Sequence, residues 1–270
     1  MSGYVELSYV QVGLAGLLIA VNGVISVGLQ LRMERSLILA SVRTIVQLLL
    51  VGLVLEWVFR LDRWYVVLGV GCLMTLIAGL TAASRNERRY PGIWLNTVIS
   101  VWASAWIVTA FALFAVMRGI ENWYAPQYAI PLLGMVLGNT LNGISVGLNT
   151  FTEALVTRRE QVESLLALGA TRWEAARAPA QHAVRTGMIP IINSMMVVGI
   201  VSLPGMMTGQ LIAGMAPVEA VKYQVVIMFL IASATALGTV GAVLLTFRRL
   251  FNSDHQFCFH LLFTQCQHLT

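Results

Sequence analysis

Long apolar runs alternate with short polar ones along most of the chain, and each run is near the roughly 20 residues that cross a bilayer as a helix. Seven such runs lie at about 7–29, 36–59, 64–83, 93–117, 128–151, 186–214 and 223–247. They predict an all-α, polytopic membrane protein with about seven transmembrane helices joined by short antiparallel connections. The first run begins at Leu7 with no basic segment before it and no small-residue cleavage site, so it reads as a span and not as a secretory signal. One membrane domain is expected over residues 1–252. The last stretch, 253–270, mixes apolar and aromatic residues with His255, His260 and His268 and shows no clean period; it reads as a poorly ordered tail.

Two departures from the pattern carry information. The sixth run is too long for an untilted crossing, with Pro190 near its start and Pro204-Gly205 in its second half. Proline removes a backbone donor and crowds the preceding turn, so a kink or break near Leu203 is predicted. Unpaired backbone at membrane depth is tolerated only inside protein or beside water, which places this segment in the bundle interior. The second departure is polar: between Glu153 and Arg185, nine charges fall in 33 residues (Glu153, Arg158, Arg159, Glu160, Glu163, Arg172, Glu174, Arg177, Arg185). On a helical wheel Leu155, Val162 and Leu166 fall within roughly 40° of one another, opposite Glu153, Thr157, Glu160 and Ser164. Gly169 ends that helix, Ala170-Thr171 form the turn, and Trp173 opens another. Such a helix pair either lies on a leaflet or docks a soluble partner, and the wheel alone does not choose.

Composition changes this picture only in orientation. With 58% hydrophobic and 11% charged residues, the chain falls far from the roughly 25% charge of soluble domains. A net charge of +5 on a soluble protein would point to nucleic acid. Here it sorts by loop instead, and no nucleic-acid partner is called for. Arg32, Arg35, Arg85, Arg88, Arg89, Arg158, Arg159, Arg172, Arg177, Arg185, Arg248 and Arg249 fall on one side of the alternation. Arg60, Arg63, Arg118 and Lys222 fall on the other. The positive-inside bias puts the larger set in the cytoplasm, with the N-terminus outside, the C-terminus inside and the 153–185 segment cytoplasmic.

Polar residues within the runs are the candidates for function. Asn139, Asn142, Ser145 and Asn149 share one face of the fifth run within about 120° and either line a path or glue helices together. Gly134/Gly138 and Gly143/Gly147 permit close helix approach there. Around the sixth-run break, Asn193, Ser194, Ser202, Pro204, Thr208 and Gln210 line a path or satisfy the bent backbone. Met195, Met196, Met206 and Met207 flank it; thioethers are soft metal ligands, and Met195, Met206 and Met207 are weak metal candidates, although methionine is also ordinary filler in apolar helices. Arg43 is the one charge deep in a run, with Gln47 a turn further on. It either serves function, as intramembrane charges often do, or pairs with another helix or snorkels.

Absences narrow the class. Cys72, Cys258 and Cys266 have no metal or redox spacing, no histidine lies within a run, and HExxH does not occur. The lone lysine, Lys222, follows no glycine-rich phosphate loop, so no ATP site is expected in this chain, nor any other cofactor, and the chain is not expected to be an enzyme.

Two resemblances follow from these residues. Glu163-Ser164-Leu165, Gly169 and the later Ile189-Pro190 resemble a degenerate form of the coupling motif of ABC-transporter permeases, with Ser-Leu where the motif has Ala-Ala. The run from Ile189 to Ile231, and Ala40 to Gly52, closely resemble the FetB-type (YbbM-like) permeases, implicated in iron export and with plant relatives linked to aluminium tolerance. The likeness covers about residues 5–252, and the tail departs from the family's usual short basic ending. The resemblance implies a permease subunit of the bacterial inner membrane, paired as a homodimer, with a separate ATP-binding subunit that holds ATP and Mg. It implies a dock at Arg159, Glu163, Gly169, Ala170 and Arg172, and a metal ion such as iron as exported cargo. An ATP-independent channel or carrier, or export of an organic or nucleotide-sugar substrate, stays open at this point.

Overall fold

The computed structural model describes residues 8–31, 33–116, 125–252 and 254–264. Arg32, Arg118, Cys266 and His268 lie outside the described residues. In chain order the elements are α1 (Tyr9–Gly28), α2 (Glu34–Leu61), α3 (Trp64–Ser84), the two-residue strand β1 (Arg88–Arg89) and α4 (Ile93–Phe111), which continues over Ala112–Val116 in wider π turns. Then come α5 (Pro126–Thr157), α6 (Arg159–Ala167), α7 (Arg172–Val197), α8 (Gly205–Ile212) and α9 (Pro217–Leu250). A 3₁₀ turn (Phe259–Leu261) precedes β2 (Phe263–Thr264), which pairs antiparallel with β1.

Five of these helices, α2, α3, α4 with its extension, α5 and α9, are long and apolar enough to cross a membrane, and each matches a predicted run. The first run is α1, whose apolar part Gly16–Gly28 is shorter. Helix starts follow local chemistry. Pro126 and Pro217 occupy the first turns of α5 and α9, where a missing N–H costs nothing. Ser8 and Thr171 close capping boxes with Gln11 and Glu174 at the starts of α1 and α7.

The sixth run departs from its predicted form. There is no separate helix beginning near residue 186: α7 runs unbroken from Arg172 to Val197 through Pro179 and Pro190. The chain then leaves helix over 198–204 before α8, with Gly199 at φ +83°. The predicted break near Leu203 is present, and Pro204 closes it as the N-cap of α8. The expected burial in the bundle fails within this protomer, since Ile200 and Val201 are 87% and 80% exposed. The loop satisfies part of its backbone by itself. The Gly199 N–H donates to the Ser202 carbonyl at 2.9 Å and the Val201 N–H to that of Val197 at 2.9 Å.

The centre of the bundle is α5, which packs on α3, α4, α7 and α9. Small residues set the spacing on the α7 and α9 sides. A Cβ on Gly187 of α7 would lie 2.7 Å from the Gly143 carbonyl of α5 and 2.8 Å from Thr239 Cγ2 of α9. A Cβ on Gly238 would lie 2.6 Å from Thr140 Cγ2, and one on Gly143 would collide with Thr235 Cγ2. Around this seam Ile144, Leu148, Ile191, Ile227, Ile231 and Ala242 form the main buried cluster. A second cluster, with Phe151, Leu155, Val162, Ala176, Phe247 and Phe251, joins α5, α6, α7 and α9.

The α1–α2 hairpin stands apart. Only the C-terminal part of α2 meets the bundle, where Leu55 and Val58 pack with Val67, Ala129 and Ile130. The tail behaves otherwise than a disordered segment over its described part. The Cys258 N–H donates to the Leu250 carbonyl at 2.8 Å, and the Phe257 ring stacks on Phe251 at 5.1 Å.

Because the Gly187 contact is to backbone, Gly187→Ala should lower stability by about 1–3 kcal/mol. Gly138→Ala, where a Cβ meets nothing within 4 Å, should stay within about 0.5 kcal/mol. Thermal unfolding of the two purified variants in one detergent checks the contrast; equal midpoints would remove the tight seam.

Candidate functional site

Two places bring the candidate residues together: the elbow between α6 and α7, and the interruption after α7. At the elbow, α5 ends at Thr157 and α6 turns off through Arg158. The predicted apolar face of this segment turns inward, with Leu155 and Val162 at 0% and 2% exposure and Leu166 packed beside them. Gly169 takes φ +90°, a left-handed conformation that favours glycine, and its N–H donates to the Leu166 carbonyl at 3.0 Å. The Ala170 N–H donates to the Leu165 carbonyl at 3.0 Å, so the turn is closed by its own backbone. Leu168 is left 85% exposed at its tip.

Arg159 donates from Nε to Glu163 Oε1 at 2.6 Å, and its guanidinium lies 4.2 Å from the centre of the Phe259 ring. At the other end of the elbow the Arg172 backbone N–H donates to His255 Nδ1 at 3.0 Å, and Arg172 Nη1 to the Asn252 carbonyl at 3.1 Å. Glu174 is held below the usual carboxylate range, first by the Thr171 backbone N–H and then by the Thr171 hydroxyl. The five residues expected at a dock, Arg159, Glu163, Gly169, Ala170 and Arg172, therefore lie on one elbow, and the tail touches Arg159 and Arg172. His255, Phe257 and Phe259 are contributors that the sequence reading passed over. The alternate aromatics Phe257 and Phe259 were the available signal.

The asparagine face of α5 finds partners on the end of α3 and the segment after it. Asn142 Oδ1 accepts from Arg85 Nη1 at 2.6 Å, and Asn149 Oδ1 accepts from the Glu87 N–H at 3.1 Å. Asn149 Nδ2 donates to the Arg85 carbonyl at 3.2 Å, and Ser145 Oγ to the Leu141 carbonyl at 2.7 Å. Asn139 Nδ2 donates back to the Met135 carbonyl at 2.9 Å. In this conformation most of the face joins helices.

Nearby, Tyr90 is 2% exposed. The Thr246 hydroxyl already donates to the Ala242 carbonyl, so the Tyr90 hydroxyl donates to Thr246 Oγ1 at 2.7 Å and accepts from Asn96 Nδ2 at 3.2 Å. Burial pushes the Tyr90 phenol up, against those hydrogen bonds and the Arg249 charge. Arg85, Glu87 and Tyr90 were visible in sequence only as loop residues.

At the interruption, Asn193 and Ser194 are exposed and make no side-chain hydrogen bond among the described residues. Ser202 is exposed, while Pro204 and Met207 are half-buried. Met195 and Met206 pack against the main cluster, which accounts for them as filler. Gln210 Oε1 is buried with no hydrogen-bond partner among the described residues. No group of three or more His, Cys, Asp or Glu suited to a metal occurs among the described residues. Arg43 and Gln47 are exposed on α2 and unpaired among the described residues.

Arg88 Nε donates to Glu153 Oε2 at 2.8 Å, pinning the segment before α4 to the end of α5. That hydrogen bond, more than the opposing desolvation, holds the Glu153 carboxyl below its ordinary value. A lowered folded value means the stabilisation is present above the unfolded carboxylate range, about 4–5, and is lost as pH falls through the folded value. Glu153 is more than half exposed although Arg88 is half-buried, so the pair is worth on the order of 0.5 kcal/mol. We expect the thermal midpoint of Glu153→Gln to fall less than that of the parent between about pH 5 and pH 3; parallel curves would discard the link.

Comparison with known proteins follows this geometry. Residues 9–251 match the family described as "Uncharacterised protein family (UPF0014)". A UPF0014 membrane protein of Synechocystis is 39% identical over 84% of this chain and 87% of its own. The "Probable iron export permease protein FetB" of Escherichia coli is 33% identical over 90% of this chain and 92% of its own. The protein ALUMINUM SENSITIVE 3 of Arabidopsis thaliana is 28% identical over 88% of this chain and 85% of its own. No solved structure matches. With its apolar helices and a match over nearly its whole length, the chain belongs to the UPF0014 family of multi-pass membrane proteins, the family that includes the FetB-type permeases.

Proposed function

We propose that the chain is the permease subunit of an ABC exporter for a metal ion such as iron, driven by ATP hydrolysed on a separate subunit. The observation that carries this reading is the 33% identity, over nine-tenths of the chain, to a protein named as an iron export permease. The elbow supports the mechanism: a turn closed by its own hydrogen bonds, an ion pair between Arg159 and Glu163, and the bare Leu168 at its tip. A protruding turn of this kind fits a cleft on a soluble partner better than a leaflet surface, because its apolar face is already spent on the chain's own core.

In this reading the chain makes about seven crossings of a bacterial inner membrane, the N-terminus outside and the elbow and C-terminus in the cytoplasm. The sixth crossing is α7 beyond Arg185 together with the interruption and α8. Two copies pair, and each elbow seats one ATP-binding subunit that carries ATP and Mg. Closure of the ATPases moves the elbows, and the path, with Asn193, Ser194, Met195, Ser202, Pro204, Met207 and Gln210 on one stretch and Asn139, Asn142 and Asn149 of α5 on another, switches its open side. This chain contributes the path and the dock. It performs no hydrolysis.

The test starts from the dock. Glu163→Arg reverses one end of the elbow pair, and Gly169→Pro imposes a φ near −65° where the chain needs +90°. Each should cut co-purification of the ATP-binding subunit by about tenfold or more, a loss of about 1.4 kcal/mol, while the variants still elute as folded protein. Undiminished capture would sink the dock. For the cargo, cells lacking the chain should accumulate iron, and ATPase activity of the purified complex should respond to it. Metal content unchanged by deletion, together with a metal-blind ATPase, would sink the cargo assignment.

A further inference from the structure

Two parts of the protomer are left bare where a membrane allows no bare polar group. The first is α2: Arg43 and Gln47, one turn apart, are exposed and unpaired among the described residues. Counting roughly 1.5 Å per residue from Arg35, they lie about 12 and 18 Å along the helix. A guanidinium on a long stem can reach back toward headgroups from the first depth, but an amide at the second cannot. The face is also turned to open space. Arg43 lies about 160° round the helix from Ser41, which lines the groove against α1. Beyond the contact of Leu55 and Val58, α2 does not lie on the bundle.

The second bare part is the exposed side of α7 and its break. Ile189, Pro190, Asn193 and Met196 are exposed there, followed by non-helical backbone over 198–204. Irregular backbone at membrane depth survives only when protein or water covers it. Pro190 supplies no N–H for the carbonyl four residues earlier, at Thr186, so this side of α7 has acceptors to spare. Measured from Arg185, the last charge of α7, Asn193 lies about 12 Å and the start of the break about 20 Å along.

The two surfaces correspond. One offers guanidinium and amide donors at about 12 and 18 Å, and the other offers the amide of Asn193 and the hydroxyl of Ser194 at about 12–14 Å and the backbone of the break from about 20 Å. Both helices run away from a basic end, so their depths coincide when the basic ends share a side. Within one protomer they do not touch. We propose that α2 of one copy seats against the outer face of α7 and its break in a second copy, with Arg43 hydrogen-bonded to Asn193 and Ser194 and Gln47 to the backbone of the break. The proposal rests on the paired-permease reading and gives the pair its contact. The path beside the break is then incomplete in one copy, because its lipid side is closed by the other copy's α2.

The experiment uses the full chain in native membranes, in two differently tagged copies with Cys72, Cys258 and Cys266 replaced by Ser. Gln47→Cys in one copy and Val197→Cys, exposed one turn beyond Asn193 and at the same depth of about 18 Å, in the other should form a disulfide-linked dimer bearing both tags. Leu48→Cys, about 100° round the helix, should not. Adding Arg43→Leu should lower the yield by about tenfold, since a buried charge-assisted contact is lost, and Arg43→Lys should restore part of it. Three results would overturn the proposal: no cross-link while the two tags still co-purify, which puts the dimer on another face; no co-purification at all; or rapid labelling of Gln47→Cys by a charged, water-borne maleimide in the assembled pair, which would make the face water-lined. None of these readings involves ATP or metal, so their failure and that of the export assignment remain separable.

Discussion

The arrangement of the bundle depends on how closely α7 and α9 can approach α5. Gly143, Gly187 and Gly238 let threonine methyls and backbone carbonyls occupy space that any side chain would claim. In a bilayer, apolar surface gains little from leaving lipid, so helix association leans on close van der Waals contact and on hydrogen bonds. Both operate here. The glycine seam brings three helices into contact, and the large side chains Ile144, Leu148 and Ile231 fill the flanks that the seam leaves. The position of α7, and with it the elbow at one end and the break at the other, follows from that seam.

A second, polar system fixes what the seam does not reach. Arg85, Glu87 and Arg88 join the end of α3 to Asn142, Asn149 and Glu153 on α5. Tyr90 ties the start of α4 to Thr246 of α9. The described tail then packs over the elbow through Phe257, Phe259 and His255. Two segments that look like loops in sequence, the α3–α4 connection and the tail, thus act as clasps around one end of the bundle, while among the described residues the α1–α2 hairpin has no comparable clasp.

Much of the fold was legible because membrane helices announce themselves through length and hydropathy. α2, α3, α4, α5 and α9 begin and end within a few residues of the predicted runs, apart from the longer ends of α5 and α9. The elbow was legible for another reason, since Val162 and Leu166 share a face only on a helix and Gly169 marks its stop, although Leu155 lies on α5, before the turn at Arg158 that the wheel ran through. The sixth run breaks where the prolines suggested, near Leu203, but its first helix begins far earlier, at Arg172, and the break is left exposed. Pro179 and Pro190 are accommodated inside α7, whereas the break carries a glycine of positive φ and Pro204 only opens the next helix. The partners of Asn142 and Asn149 could not be read at all, because their donors lie more than fifty residues away and nothing local encodes the pairing.

The continuity of α7 has a mechanical meaning. Twenty-six residues in unbroken helix make a rod about 39 Å long, held near its middle by the glycine seam as by a fulcrum. Tilting such a rod by about 5° carries each end roughly 2 Å in opposite directions. A grip on the elbow therefore has leverage on the interruption at the far end without touching it. The glycines that bring the helices close also provide the smooth bearing on which the rod turns.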